Sequence, residues 1–265
     1  MALPDTHSQQ PDMKQPSLEQ PSLEQRLAQL EAALAASRAE LQEFTYTVSH
    51  DLRAPLRHLV SFTRLLEEEA GPQLSGDSSD FLRTISESAA HLGLMLDALA
   101  ALSRLQGTPV HRAELDFAAL ARECLREVQA AYPGRAVDVK MLVPEGLRLL
   151  TDAAILHKAL VLLLDNAFKF TARVPAASVA LRALALEDGG WQIVIEDNGA
   201  GFNSAQQDKL FKVFGRLHSA KQFPGLGMGL LTAKRLLAMV DARLTLAPRE
   251  GGGAVAVVRC GPGEV

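Results

Sequence analysis

One histidine in the sequence has neighbours that suit it to nucleophilic chemistry. His50 lies in the segment SHDLRAPL, directly before Asp51. A carboxylate beside an imidazole can keep one ring nitrogen protonated and leave the other free for in-line attack on a phosphoryl group. Pro55 lies in the same predicted helix, where it removes one backbone hydrogen bond and favours a kink beside the histidine. A surface histidine near a chance proline is the alternative, so the interpretation needs a phosphate source elsewhere in the chain.

Two polar segments further along the chain could bind a nucleotide. In LLLDNAFKFT, Asn166 offers an amide oxygen suited to magnesium, and Lys169, one turn later, offers a point charge for phosphate. In DNGAGF, which follows the predicted strand WQIVIE, the carboxylate of Asp197 can accept a hydrogen bond from a base amino group. The order of these segments predicts phosphate at one end of a site and a base at the other.

Glycines and phenylalanines complete this set. Gly199 and Gly201 let the chain turn tightly after the aspartate. Three more glycines lead into the N-terminus of a predicted helix, which favours phosphate: Gly225, Gly227 and Gly229. For Phe211 and Phe214, just before this stretch, a role in lid movement and ordinary core packing both stay open. Each segment alone is weak evidence, and the prediction depends on their combination in this order.

The elements that must position these residues divide at QGTPV, residues 106–110. Before this break, mostly apolar residues at alternating spacings of four and three form a heptad seam: Leu23, Leu27, Leu30, Leu34, Ser37, Leu41, Phe44 and Val48. The seam predicts a coiled coil with a second copy of the chain, and one amphipathic helix packed on its own domain is the alternative. Helical patterns up to about residue 70 and from about 79 to 105 predict a hairpin, two of which would close a four-helix bundle.

After the break the pattern changes to mixed α and β. Helices are predicted over residues 117–131, 153–170 and 230–240, and strands over residues 137–143, 178–186, 191–196, 243–247 and 254–259. Asp116 and Asp152 are suited to cap the first two helices. Helices on one face of a sheet predict an α+β sandwich. The predicted organisation is therefore a disordered N-terminus (residues 1–21), a coiled coil (22–43), a histidine-bearing hairpin (44–106) and a nucleotide-binding domain (111–262).

The composition limits which partners and which cellular compartment we expect. A formal net charge of -4 gives no electrostatic argument for nucleic acid or an anionic membrane. Cys124 and Cys260 lie too far apart for a metal-ligand motif and are expected to be reduced thiols. No apolar run reaches the length of a bilayer span, and the N-terminus has no secretion signal. We therefore expect a cytoplasmic protein without a membrane span.

At these motifs the sequence resembles the two-component sensor histidine kinases, over roughly residues 40–260. SHDLRAPL is similar to their phosphoacceptor box, and DNAFKFT, DNGAGF, FKVFGRL and GLGMGL are similar to the boxes of their ATP-binding domain. The form of the first box and the RLH after the phenylalanine box resemble bacteriophytochrome-type kinases. The resemblance implies a dimeric four-helix bundle followed by a Bergerat-type (GHKL) α+β sandwich, with ATP and magnesium as cofactors.

Carried over by position, the resemblance implies a role for each site residue. His50 would be the phosphoacceptor and Asp51 its base. Asn166 would bind magnesium, Lys169 would meet phosphate, and Asp197 would read adenine, while the glycines would shape the nucleotide lid. The implied protein is a homodimer that phosphorylates itself and passes the phosphoryl group to the aspartate of a response-regulator receiver domain. The ATP domain would swing about residues 107–109 to reach the histidine.

Three departures from the family pattern qualify these implications. Leu162 stands where many members have a second asparagine, which puts part of the magnesium shell in doubt. Ala54 stands where many place Thr or Asn, which puts phosphatase activity towards the partner in doubt. Because no sensor domain precedes the heptads, either the sequence is part of a longer protein or a separate sensor protein brings the signal.

Two alternatives to a kinase stay open at this point. One is another ATPase of the same fold, such as a chaperone, a topoisomerase, a mismatch-repair ATPase or a serine kinase acting on an anti-sigma partner. The other is a degenerate, nucleotide-binding dimeric scaffold. The box around His50 argues against the first, and the intact glycine boxes with Asn166 argue against the second.

Overall fold

The computed structural model describes residues 22–105, 108–219 and 221–261. The predicted disorder of residues 1–21 and Gly107 of the predicted hinge lie outside these residues. The chain divides into two compact units, residues 1–44 and residues 45–265. The boundary between them falls within the first long helix.

The described part of the first unit is helical and belongs to α1 (Leu23–Ala70). Ser22 and Gln25 form a capping box at its start, since each side-chain oxygen accepts a hydrogen bond from the other residue's backbone N–H, at 3.2 and 2.9 Å. The apolar seam residues of this unit are exposed in the single chain: Leu23, Leu27, Leu30, Leu34, Leu41 and Phe44. The coiled coil stays a prediction, and this exposed seam is the surface that a partner helix would cover.

The second unit begins with a helical hairpin. The rest of α1 and α2 (Asp77–Arg104) are joined by a short 3-10 turn at Gly71–Gln73. Leu56 packs between the helices with Ala89 and Leu96. Arg53 donates from Nη2 to Oδ1 of Asp97 at 2.8 Å, an exposed link between the two helices. The predicted hairpin is confirmed.

The rest of the second unit is an α/β sandwich. Its helices are α3 (Phe117–Ala131), α4 (Ala153–Phe170) and α5 (Gly229–Met239). Its strands are β1 (Ala113–Asp116), β2 (Asp138–Leu142), β3 (Arg148–Thr151), β4 (Ser178–Ala185), β5 (Trp191–Asp197), β6 (Ala242–Pro248) and β7 (Ala254–Cys260). The main sheet has the order β2-β4-β5-β7-β6, with β2 and β4 parallel and the other neighbours antiparallel. The predicted fold class is confirmed.

One face of this sheet carries the core. Alternate residues of β5 are buried, as expected for a sheet covered on one side. Ile193 of β5 packs in one cluster with Leu160 and Leu164 of α4 and Leu237 of α5. The buried, largely apolar α4 lies between the other two helices, which fixes the position of its C-terminal end.

The short ribbon of β1 and β3 is absent from the predictions. The two strands pair antiparallel, with Ala113 opposite Thr151 and Asp116 opposite Arg148. Each has four residues, too few for an alternation to stand out, and their partners lie more than 30 residues apart in the chain. Asp116, the last residue of β1, and Asp152, which follows β3, cap α3 and α4 as predicted.

Within the described residues, α2 has the length and composition of a candidate membrane span. Its most apolar 18-residue window has a mean hydropathy of 1.2. The length and composition of α2 therefore argue against the expectation, drawn from apolar runs, that no segment is long enough to span a bilayer. Its apolar residues lie partly in the hairpin core and partly on an exposed stripe formed by Phe81, Ile85 and Leu92.

Candidate functional site

His50 is presented on the surface of α1. Its side chain is 66% exposed, and its Nδ1 lies 3.2 Å from Oδ1 of Asp51. Tyr46, one turn earlier, stacks on the ring with centroids 6.5 Å apart. In the tautomer that places the proton on Nδ1, the ring donates to the carboxylate, and the lone pair of Nε2 faces outward. This is the geometry that the sequence predicts, and the roles of the two residues stay predictions.

A cavity of about 350 Å³ opens between the end of α4, the end of β5 and the loop before α5. Seven of the eight residues predicted to bind nucleotide line it: Asn166, Lys169, Asp197, Gly201, Gly225, Gly227 and Gly229. Gly199 lies behind this wall, where a Cβ would meet the carbonyl of Phe170 at 2.6 Å. The glycine therefore allows the loop after β5 to lie against the end of α4, and Ala200 donates to the same carbonyl at 3.1 Å.

Asn166 and Lys169 form the polar end of the cavity. Lys169 donates from Nζ to Oδ1 of Asn166 at 2.7 Å, and Asp165 lies 3.8 Å from the same ammonium. Burial lowers the pKa of Lys169, and the charge of Asp165 opposes that shift. Among the described residues, Nδ2 of Asn166 is buried without a hydrogen-bond partner. A half-buried cation beside an unsatisfied donor suits the anionic oxygens of a phosphate.

This polar end is supported from the end of α3 by two residues that the sequence analysis misses. Tyr132 donates from its hydroxyl to Oδ1 of Asp165 at 2.7 Å. Arg135 donates to the carbonyl of Phe168 at 2.5 Å and to the hydroxyl of Thr171 at 3.2 Å, which satisfies the C-terminal end of α4. These contacts join residues more than 30 positions apart, and no local sequence pattern marks them.

Asp197 is a buried carboxyl group in the wall of the same cavity. Its Oδ1 accepts the backbone N–H of Gly199 at 2.8 Å. Burial raises the pKa of this carboxyl, and the hydrogen bonds from Gly199 and Ala254 partly oppose the rise. A buried carboxylate in the wall of a cavity gains from a further donor, which is what a base amino group would supply.

The segment before α5 lines the cavity, and we call its described residues, 215–219 and 221–228, the lid. Arg216 donates to the carbonyl of Phe223 at 2.6 Å and also to the carbonyl of Gly225, so it bridges the lid internally. A Cβ on Gly227, which has φ +74, would meet the carbonyl of Gly215 at 2.5 Å, so only glycine fits this close approach. Phe211 packs against the main core, which favours its packing role.

The base of the lid contacts the hairpin within the second unit. Leu102 of α2 packs with Met228 and Leu231 at the start of α5, and Phe214 lies against the same cluster. All three leucine and methionine side chains are buried in this contact. The segment that lines the cavity is therefore packed against the helix that follows the histidine-bearing one.

Leu162 lies one turn before Asn166 on α4, close to the first glycine of α5. Its Cδ2 is 3.9 Å from where a Cβ on Gly229 would stand. An apolar side chain at this point supplies no ligand for a cation. Within the described ranges, no cluster of three or more His, Cys, Asp or Glu side chains could hold a metal ion. The amide oxygen of Asn166 is a ligand type that suits magnesium carrying waters and phosphate oxygens, and its role as a magnesium ligand stays a prediction.

Two family models match the chain. That described as "His Kinase A (phospho-acceptor) domain" matches residues 40–108. That described as "Histidine kinase-, DNA gyrase B-, and HSP90-like ATPase" matches residues 151–262. The first contains His50, and the second contains the cavity. The chain is therefore similar to known proteins in the same two places where the geometry suggests chemistry.

Similar curated proteins and solved structures carry both parts. Cyanobacterial phytochrome A of Nostoc sp. is 30% identical over 242 residues, which are 86% of this chain and 29% of that protein. The aerobic respiration control sensor protein ArcB of Escherichia coli K12 is 27% identical over 228 residues, 83% of this chain and 28% of that protein. The chain thus spans less than a third of the length of these relatives.

The solved structures show the same fold. Full-length ShkA in complex with AMPPNP gives a TM-score of 0.59 at 24% identity, over 82% of this chain and 45% of that one. Histidine kinase AdeS of Acinetobacter baumannii gives 0.55 at 19% identity, over 80% of this chain and 97% of that one.

Proposed function

The chain belongs to the histidine kinase family, and from this premise we propose that it phosphorylates His50 from ATP and passes the phosphoryl group to a receiver-domain aspartate of a response regulator. The observation that carries the proposal is the presence, in one chain, of an exposed imidazole oriented by Asp51 and a cavity suited to a nucleotide. The match to a phospho-acceptor domain over residues 40–108 argues against other ATPases of the same fold.

The proposed chemistry depends on positioning and charge neutralisation. Nε2 of His50 would form a bond to the γ-phosphorus while the bond to the bridging oxygen breaks and ADP leaves with that electron pair. The ring becomes positively charged in this step. Asp51, hydrogen-bonded to Nδ1, would stabilise that charge and accept the Nδ1 proton.

The cavity residues would orient the nucleotide for this transfer. Asp197 would accept a hydrogen bond from the adenine amino group. The unsatisfied Nδ2 of Asn166 and the ammonium of Lys169 would donate hydrogen bonds to phosphate oxygens. Oδ1 of Asn166 would hold magnesium, which would supply charge neutralisation at the phosphates. Gly225, whose Cβ position lies 3.8 Å from Nζ of Lys169, keeps the lid backbone close to that ammonium.

A homodimer is part of the proposal. In the first unit, the exposed leucines of the seam support pairing with a second helix. In the second unit, the apolar stripe of α2 supports the closure of a four-helix bundle, and this use of the stripe accounts for the hydropathy of the helix without a membrane. The sensor that acts on the dimer, whether part of a longer chain or a separate protein, stays a prediction.

The proposal is tested with γ-labelled ATP and magnesium. We expect the wild-type protein to gain an acid-labile, alkali-stable label, and His50→Gln to gain none. His58→Gln is the matched control, because His58 is an exposed histidine two turns further along the same helix, and it should label like the wild type. Equal labelling of His50→Gln and wild type would refute the proposal. A wild-type protein that binds nucleotide but never labels would favour the scaffold alternative.

A further inference from the structure

We propose that His218 is a positioning residue for nucleotide binding, a clasp that fastens the lid to the loop after β5. The inference rests on the proposed use of the cavity by a nucleotide. Nε2 of His218 lies 3.0 Å from the carbonyl oxygen of Gly201. A carbonyl only accepts, so Nε2 must carry the proton of this bond. The side chain thereby joins two walls of the cavity that are 17 residues apart in the chain.

The ring of His218 is held in place by aromatic neighbours. Its centroid lies 5.5 Å from that of Phe170, at the end of α4, and 5.2 Å from that of Phe223 in the lid. The two phenylalanine rings lie 5.1 Å apart. Such tilted and edge-on contacts favour one ring orientation, which directs Nε2 at the carbonyl. The bond is therefore prepared by packing before any ligand enters.

Both partners of this bond line two neighbouring cavities. The nucleotide cavity and a second cavity of about 360 Å³ share Gly201, Phe202, Leu217 and His218 as a common wall. The second cavity is bordered further by Asn203, Gln206 and Arg249. Loss of the bond would let the wall part, so water from the second cavity would reach the base end of the nucleotide site. Asp197 would then bind a base amino group in competition with water.

Arg216 and His218 fasten the lid in different ways. Both bonds of Arg216 go to carbonyls within the lid, at Phe223 and Gly225, whereas the bond of His218 goes to Gly201, outside it. Removing the His218 bond therefore leaves the internal shape of the lid intact and releases its attachment to the rest of the site. We expect weaker nucleotide binding with an unchanged rate at saturating ATP.

Three substitutions distinguish the contribution of the Nε2–H donor of His218 from that of its aromatic ring. His218→Phe keeps the aromatic packing and removes the donor. In His218→Gln the amide nitrogen takes the place of Nε2, and in His218→Asn it takes the place of Nδ1, which is not bonded to the carbonyl. One neutral hydrogen bond corresponds to a roughly 2- to 12-fold change in affinity. We expect His218→Phe and His218→Asn to weaken ADP binding by a factor in this range, and His218→Gln to recover most of it.

The measurement is a calorimetric titration with ADP and magnesium, followed by the KM and kcat of His50 labelling. Equal ADP affinity in His218→Phe and wild type would overturn the inference, as would His218→Gln binding no better than His218→Asn. Because ADP binding needs no transfer, the two proposals fail separately. A wild type that binds ADP without labelling His50 refutes the kinase, whereas a labelled wild type with an unaffected His218→Phe refutes the clasp.

Discussion

Asp197 is an ionisable group whose surroundings work against its charge. The carboxyl is buried in the wall of the cavity, and burial is the largest influence on its pKa. Because its pKa is raised, the carboxyl binds a proton more readily in the folded than in the unfolded protein. Protonation therefore stabilises the fold at low pH, and this contribution is lost as the pH rises through the raised pKa. A base amino group donates a hydrogen bond, so it needs the ionised carboxylate, which only accepts.

Nucleotide affinity should therefore decrease on acidification at a pH above the ordinary pKa of an aspartic acid. We expect the dissociation constant of ADP to increase as the pH falls from neutral towards that raised pKa. Asp197→Asn should bind more weakly at neutral pH, by roughly 10- to 100-fold for the loss of a charged hydrogen bond, and should lack this pH dependence. The dissociation constants of both proteins are measured by fluorescence titration at each pH. Their ratio is free of any contribution from protonation of ADP, because that contribution is the same for both proteins. Parallel pH profiles would contradict the assignment.

Residues of the site could be predicted where two side chains of suitable chemistry lie close together in the sequence. His50 with Asp51 and Asn166 with Lys169 are short-range pairs, and the structure places each pair within hydrogen-bond distance. His218 could not be predicted as a clasp, since its partner lies in another loop and a carbonyl leaves no mark in the sequence. The RLH segment around it stands out only through the resemblance to bacteriophytochrome-type kinases.

At the scale of elements, Asp152 connects the interdomain segment to the nucleotide site. Its Oδ1 accepts the N–H groups of Ala154 and Ile155 at the start of α4, and its Oδ2 accepts the N–H of His111 at 2.7 Å. The bond from His111 is the largest cause of the lowered pKa of this carboxyl. The stabilisation is thus present at neutral pH and is lost as the pH falls through the lowered pKa. One side chain fixes both the N-terminus of α4 and the chain that leads in from α2.

Asp152→Ala should lower the free energy of unfolding by about 2.5–4 kcal/mol. A lost N-cap costs about 1 kcal/mol, and the lost hydrogen bond from the backbone N–H of His111 to the carboxylate costs about 1.5–3 kcal/mol more. Asp152→Ser keeps a capping oxygen and loses the link to His111, so it should fall between wild type and Asp152→Ala. Urea unfolding followed by circular dichroism measures the difference.

The matched control for this cap is Asp116→Ala, which removes a single exposed bond to Ala119 at the start of α3. It should cost about 1 kcal/mol. If Asp152→Ala cost no more than Asp116→Ala, the link to His111 would contribute nothing to stability.

The helices and the strands of the main sheet could be predicted from the sequence, and the two four-residue strands β1 and β3 could not. The periodicity of the two hairpin helices and of α4 extends over several turns, so the bounds agree with the structure to within two residues. The ribbon of β1 and β3 depends on a pairing between distant four-residue segments. Its role is positional, because the antiparallel register places Asp116 at one end of the ribbon and Asp152 just beyond the other, at the starts of α3 and α4.

At the scale of the whole molecule, the hairpin presents two apolar surfaces with different partners. Leu82, Ala89 and Leu96 recur every seven residues on α2 and are buried within the hairpin. Phe81, Ile85 and Leu92 lie on a neighbouring stripe of the same helix and are 65, 51 and 45% exposed. Adjacent apolar stripes with a heptad period are typical of a helix in a four-helix bundle, in which a second hairpin covers the exposed one.

A charge in the exposed stripe should therefore dissociate the dimer. We expect the wild-type chain of 28.5 kDa to sediment at twice that mass, and Ile85→Asp to sediment as a monomer, because a carboxylate buried between hairpins would lose its hydration. Ala90→Asp adds the same charge to an exposed position on the other side of α2 and should remain dimeric. Both variants should keep their helical circular dichroism, since neither site is buried within the hairpin. A wild type that is monomeric at micromolar concentration, or an Ile85→Asp that stays dimeric, would show that this stripe is not the interface.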